Sequence, residues 1–156
     1  MTLRRFSDAD LVEVRELIHR TIGVCYPAVY PQRAVDYFRR FHADDAILAR
    51  ATDGLVVVIE EAAAIVATGA VVRGEVTGVF VAPERQGSGL GSAVMDELEA
   101  QARAGGNGVA RLSVSLPSRA FYERRGYRMV ERRSLDVGEG ERLDYWEAVK
   151  EIIGES

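Results

Sequence analysis

One stretch constrains this chain more than any other: Val79-Phe80-Val81-Ala82-Pro83-Glu84-Arg85-Gln86-Gly87-Ser88-Gly89-Leu90-Gly91-Ser92. A short apolar run ends at a proline, and three glycines follow within five residues. An apolar repeat at Leu90, Val94, Leu98 and Ala102 begins directly afterwards. The order reads as strand, loop, helix. Loop residues without Cβ let a ligand approach the backbone, and the unpaired N–H groups of a helix start point at it. Such a junction suits an anion. The plain alternative is a glycine-rich turn that binds nothing.

Two phosphate loops fit poorly. A P-loop needs Gly-Lys followed by Ser or Thr, and the only lysine here is Lys150. A dinucleotide fingerprint needs a glycine where Ser92 stands and an acidic residue about twenty positions on. Arg111 and Leu116 occupy that region.

The flanking sequence supplies a complete α/β pattern. Thr2–Phe6 reads as a strand, and Ser7-x-x-Asp10 is a capping box before a helix carrying Leu11, Val14, Leu17 and Ile18, which Gly23 is expected to stop. Pro31 suits the first turn of a second helix to about Phe41, and Ala43–Ala51 reads as a third. The period then changes. Leu55–Glu60 and Ala63–Val72 form a hairpin turning at Glu61-Ala62, and Arg73-Gly74 leads into a strand over Glu75–Val81. After the glycine-loop helix, ended by Gly105-Gly106, come a strand at Ala110–Ser115, a short helix at Pro117–Arg125 and strands at Tyr127–Leu135 and Leu143–Val149. The expectation is one domain over 1–156 of mixed α/β class, its sheet of about seven strands covered by helices on both faces.

Composition narrows the partners. A formal charge of −4 argues against nucleic acid or an anionic membrane. The apolar runs are too short for a membrane span, and no signal peptide is evident. Cys25 stands alone, so neither an internal disulfide nor a thiolate metal cluster is expected; His19 and His42 share no metal-ligand spacing and read as structural or solvated. These features suggest a cytoplasmic protein without a metal.

Gln86-x-x-Gly89-x-Gly91 resembles the pyrophosphate-binding signature of the GNAT superfamily of N-acetyltransferases, which use acetyl-CoA. The element order is similar to that family's over nearly the whole chain, least so over residues 20–50. The resemblance implies a mostly antiparallel sheet with splayed central strands. It implies that Arg85, Gln86, Gly87, Ser88, Gly89, Leu90, Gly91 and Ser92 hold the pyrophosphate. Gly89 and Gly91 would be glycine because a Cβ would block the ligand or forbid the required φ. Gly78 within a strand marks a bulge or relieves crowding. In the family that strand pairs with the pantetheine arm, which falls on Val79, Phe80 and Val81, with an N–H near Val79 or Phe80 facing the thioester oxygen.

Two residues are candidates for proton transfer. Phe121-Tyr122-Glu123-Arg124-Arg125-Gly126-Tyr127 is similar to the family segment whose tyrosine protonates the CoA sulfur, which makes Tyr122 the acid. Glu75 lies eleven residues before Gln86, the spacing of the glutamate base in the histone-acetyltransferase members. It either takes the amine proton, directly or through water, or is a solvated strand-start residue. Ser115 and Phe121 complete the cofactor contacts; Ser115 stands where many members carry Asn, and Phe121 packs inward. Tyr26 and Tyr30 are candidate walls for the acceptor. The implied activity is direct transfer of an acetyl group to a primary amine, small molecule or protein, in a ternary complex; a non-catalytic CoA-binding sensor of the same fold is the alternative. Family members often form homodimers, and the Leu143–Val149 strand with Tyr145 and Trp146 is the expected interface.

Overall fold

The computed structural model describes residues 1–153, so residues 154–156 at the end of the expected domain lie outside it. Seven strands form one sheet in the order β1-β2-β3-β4-β5-β7-β6. They are β1 (Thr2–Arg5), β2 (Leu55–Glu61), β3 (Ala64–Val72), β4 (Glu75–Val81), β5 (Val109–Ser115), β6 (Arg128–Gly138) and β7 (Glu141–Glu151). All neighbours run antiparallel except β4 and β5.

Five helices flank the sheet: α1 (Leu11–Cys25), α2 (Gln32–Phe41), α3 (Asp44–Asp53), α4 (Leu90–Ala104) and α5 (Arg119–Arg124). The alternation of β2 decides how they are shared. Leu55, Val57 and Ile59 pack with Val94, Met95 and Leu98 of α4, whereas Val56 and Val58 pack with Val14, Ile18 and Ile47 of α1 and α3. Helices on both faces are what that apolar strand requires.

The pairing of β4 with β5 is short. Only Glu75 with Arg111 and Val76 with Leu112 are in register, and beyond them the strands diverge. On its other side β4 carries a bulge: Thr68 faces Phe80 and Ala70 faces Thr77, so Gly69 alone opposes Gly78 and Val79. Gly78 takes φ +65°, which the missing Cβ permits. The bulge turns β4 away from β5 and opens the sheet at its centre.

Two expectations are corrected. Gly23 does not stop α1, which runs on to Cys25; a Cβ there would meet only the flexible end of the Arg39 side chain. The β2–β3 turn sits at Ala62-Ala63, both at positive φ, one residue later than expected. The last strand, β7, lies between β5 and β6. Trp146 is covered by Arg119 and Arg132, whose guanidinium carbons stand 4.3 and 5.5 Å from its ring.

At the N-terminus the capping-box spacing works as read. The Asp10 carboxylate accepts the Ser7 N–H at 2.8 Å and binds the Arg4 guanidinium through both oxygens. Among the described residues no helix is long and apolar enough to cross a membrane.

Candidate active site

The glycine loop leaves space that no protein atom fills. Gly87 and Gly89 adopt φ +80° and +87°, and a Cβ on either would meet nothing within 4 Å. Gly89 is the N-cap of α4 and no side chain caps this helix end, so the N–H groups of Leu90, Gly91 and Ser92 face that space at the positive end of the dipole. The loop is tied from behind: Gln86 Nε2 donates to the Val81 carbonyl at 3.1 Å, and the Ser88 hydroxyl donates to the Arg85 carbonyl. At Gly91 the reason for glycine differs from the expected one. A Cβ there would press on the Phe121 ring at 3.2 Å, so Gly91 lets α5 close against α4.

A cavity of about 610 Å³ extends from this loop and takes in Arg85, Arg124 and Arg125. Arg85 forms an ion pair with Glu61, and Arg125 is anchored by Asp96 at 2.6 Å and Glu99 at 3.0 Å. An uncapped helix start, open Cβ positions and three guanidinium groups together fit a diphosphate. Sequence reasoning named only Arg85 of the three. Arg124 and Arg125 follow Tyr122 in the same segment, and their spacing from it carried the missed signal.

A second cavity, of about 170 Å³, is lined by His42, Glu75, Gly78 and Tyr145 among others. Tyr26, Val79, Phe80, Ser118 and Tyr122 border both cavities, at the place where β4 leaves β5. Anything reaching through this slot from the glycine loop meets anything bound in the second cavity.

Tyr122 stands in that slot only 6 % exposed. Burial, reinforced by Tyr26 and opposed by Arg125, raises its phenol above the ordinary range, so the proton stays on the oxygen at neutral pH. Among the described residues its hydroxyl makes no hydrogen bond, unlike that of Tyr26, which meets the Ser115 hydroxyl at 3.1 Å. Ser115 also meets Ser118 at 2.9 Å, so its hydroxyl is spent on two neighbours. Burial pushes the Tyr26 phenol up to about 12. Tyr30 does not border either cavity; its hydroxyl donates to the Asp144 carbonyl at 2.7 Å and accepts the Leu116 N–H at 2.9 Å.

Glu75 sits on the rim of the second cavity, exposed, at the first position of β4. Four residues separate it from Val79, about 13 Å of strand at ~3.3 Å per residue. Phe121 borders the first cavity, its ring edge-on to Tyr122 with centroids 5.0 Å apart. His42 is neither solvated nor remote: it lines the second cavity beside Gly78. Burial, with the charges of Arg50 and His19, pushes it down to about 3, so the ring is neutral.

One buried charge escaped sequence reasoning. Glu99 on α4 is 3 % exposed and accepts hydrogen bonds from Arg125 at 3.0 Å, Tyr127 at 2.8 Å and Lys150 at 3.0 Å. Burial pushes its carboxyl up, but these three donors outweigh it and hold the group ionised. The cluster pins α4, the segment after α5 and β7 together behind the loop. No three His, Cys, Asp or Glu side chains among the described residues converge as a metal-ligand set.

The sequence model of the Acetyltransferase (GNAT) family matches residues 15–127. No curated protein matches the chain. A GCN5-related N-acetyltransferase from Rhodopseudomonas palustris superposes with a TM-score of 0.86 at 19 % identity, covering 96 % of this chain and 94 % of that one. PaiA N-acetyltransferase from Thermoplasma acidophilum, solved in complex with coenzyme A, gives 0.77 at 16 % identity over 96 % and 98 %. YncA from Salmonella typhimurium, solved with its cofactor acetyl-CoA, gives 0.72 at 21 % identity over 100 % and 96 %. These three likenesses establish the shared fold.

Proposed function

The chain belongs to the GNAT acetyltransferase family, and on that premise we propose that it is a single N-acetyltransferase domain moving an acetyl group from acetyl-CoA to a primary amine. One observation carries the reading: two cavities meet at a slot in the sheet, and Tyr122 borders both. Relatives solved with CoA or acetyl-CoA support the choice of cofactor. The single unpaired cysteine supports a cytoplasmic setting.

Acetyl-CoA supplies the activated acetyl thioester; the residues of this chain do the rest. The N–H groups of Leu90, Gly91 and Ser92, with Gly87, Ser88 and Gly89 leaving room, hold the diphosphate, and Arg85 and Gln86 shape the wall. Beyond Val76 the β5-facing edge of β4 is unpaired, so Val79, Phe80 and Val81 offer backbone groups to the pantetheine arm. An N–H at Val79 or Phe80 donates to the oxygen on which charge develops. Tyr122, kept protonated by burial, gives its proton to the departing sulfur. Phe121 supports the Tyr122 ring, and Ser115 fixes the wall through Tyr26 and Ser118 rather than through an amide. Glu75 takes the amine's proton at the cavity mouth, directly or by way of water.

The test is initial-rate kinetics with acetyl-CoA and a panel of primary amines, following thiol release and the mass of the acetylated product. Transfer with intersecting double-reciprocal lines is expected for a ternary complex. Parallel lines would contradict direct transfer, and CoA binding without transfer across the panel would favour the sensor reading.

A further inference from the structure

Behind His42 and Gly78, which line the second cavity, stands a charge with no carboxylate partner among the described residues. Arg50, on α3, has no carboxylate within 4 Å among the described residues, in contrast to the many paired arginines of this chain. Its contacts are the His42 ring, with Nη1 3.0 Å from Nδ1, the Phe41 carbonyl at 3.2 Å, and the Phe41 face at 5.5 Å. A half-buried guanidinium without a counter-ion is costly unless a ligand supplies one.

His42 turns that charge toward the cavity. A guanidinium can only donate, so Nδ1 of His42 must carry the lone pair and Nε2 the hydrogen. The ring is 5 % exposed and clamped edge-on against Phe41 and Phe80, with centroids 5.1 and 5.2 Å away. Its backbone carbonyl is held by His19 Nε2 at 2.9 Å. Among the described residues Nε2 has no hydrogen-bond partner, and the ring lines the second cavity. The site is therefore built: a buried, oriented N–H donor backed by a cation.

We propose that His42 and Arg50 form an anion-recognition site for the acceptor, and that the acceptor is an amine bearing a carboxylate on or next to the same carbon, of the amino-acid class. The inference rests on the transferase reading and names its substrate class. Position supports it, because a Cβ on Gly78 would lie 3.0 Å from Arg50 Nη1, and Gly78 directly precedes the Val79–Phe80 segment proposed to meet the thioester. A carboxylate held there leaves its own amine at the slot. Glu75 on the rim complements the amine, whereas Tyr37, Phe38, Phe41 and Leu135 give the remaining wall an apolar character suited to an apolar side chain.

The test compares matched pairs on the full chain with CoA present: N-acetylglycine, N-acetylleucine and N-acetylphenylalanine against the N-acetyl amines of the same carbon skeleton lacking the carboxylate. Calorimetric titration should show at least tenfold tighter binding of the carboxylate in at least one pair. Arg50→Met and His42→Phe should remove that preference, and His42→Gln, which keeps a side-chain N–H, should retain part of it. No preference in any pair with the parent protein overturns the proposal whatever the variants do, and a preference that survives both Arg50→Met and His42→Phe overturns the assignment to these residues. The two readings fail separately. Binding needs no turnover, so a carboxylate preference without acetyl transfer counts against the transferase alone, and transfer to carboxyl-free amines with equal ease counts against the anion site alone.

Discussion

Replacing Gly89 with valine separates the ligand role of the loop from its backbone role. A branched residue at φ +87° pays about 1–2 kcal/mol for the left-handed conformation. At ~2–4 °C per kcal/mol for a chain of this size, melting should fall by roughly 2–8 °C. Because a Cβ there meets nothing within 4 Å, no packing cost adds to this, and the fold persists. The cofactor meets a different fate. The valine branches occupy the opening in front of the first turn of α4, and the loss of two charge-assisted hydrogen bonds at ~1.5–3 kcal/mol each should weaken CoA binding by roughly 10²–10⁴. Gly106 is the internal control: it has φ +88°, equally open surroundings, and lies beyond the far end of α4. Gly106→Val should lower melting by a similar amount and leave CoA affinity alone. Titration calorimetry with CoA and thermal melts of both variants decide the matter. Parental CoA affinity in Gly89→Val, or an equal loss in Gly106→Val, would refute the anchor assignment.

Three further outcomes are expected. Glu75→Gln should lower kcat/KM for a primary amine about tenfold while leaving CoA affinity intact, as for a proton acceptor working through water; an unchanged kcat/KM would send the proton elsewhere. Glu99→Ala leaves Arg125 and Lys150 without their buried partner and should cost about 3–5 kcal/mol in urea denaturation, and a loss under 1 kcal/mol would contradict the pinning role. For His42, the folded value near 3 lies below the unfolded value of 6.5, so its contribution to stability is full above about pH 6.5 and declines as pH falls toward 3. The slope is up to ~1.4 kcal/mol per pH unit. The Asp10 carboxyl, lowered from 3.8 to about 2 by Arg4, acts only at lower pH. Urea midpoints between pH 4.5 and 6.5 should therefore fall in the parent and stay flatter in His42→Gln; parallel curves would refute the burial argument.

The sequence disclosed whatever is governed by local backbone chemistry. The glycine loop was legible because positive φ and an uncapped helix start need glycine at fixed places. Gly78 was legible as a bulge for the same reason. Contacts between distant segments were not. Gly23 looks like a helix stop, yet α1 runs through it to Cys25. Leu143–Val149 has the pattern of any half-buried strand, and nothing local tells that β6 will pass outside it. His42 and Arg50 carry no recognisable spacing; the end of α2 and the second turn of α3 bring them together. Glu99 reads as one charge on an amphipathic helix, because its partners lie 26 to 51 residues away.

The central claim, that the slot shared by the two cavities is where acetyl transfer occurs, is tested most directly by single-turnover acetyl transfer in Tyr122→Phe. The ring stays and only the hydroxyl goes, and since no group among the described residues hydrogen-bonds it, stability should change by no more than ~1 kcal/mol. CoA affinity should hold, because the loop at Gln86–Ser92 does the anchoring. The transfer rate within the preformed ternary complex should fall by about 10²–10⁴, the usual worth of a positioned proton donor. A parental single-turnover rate in Tyr122→Phe would contradict the account.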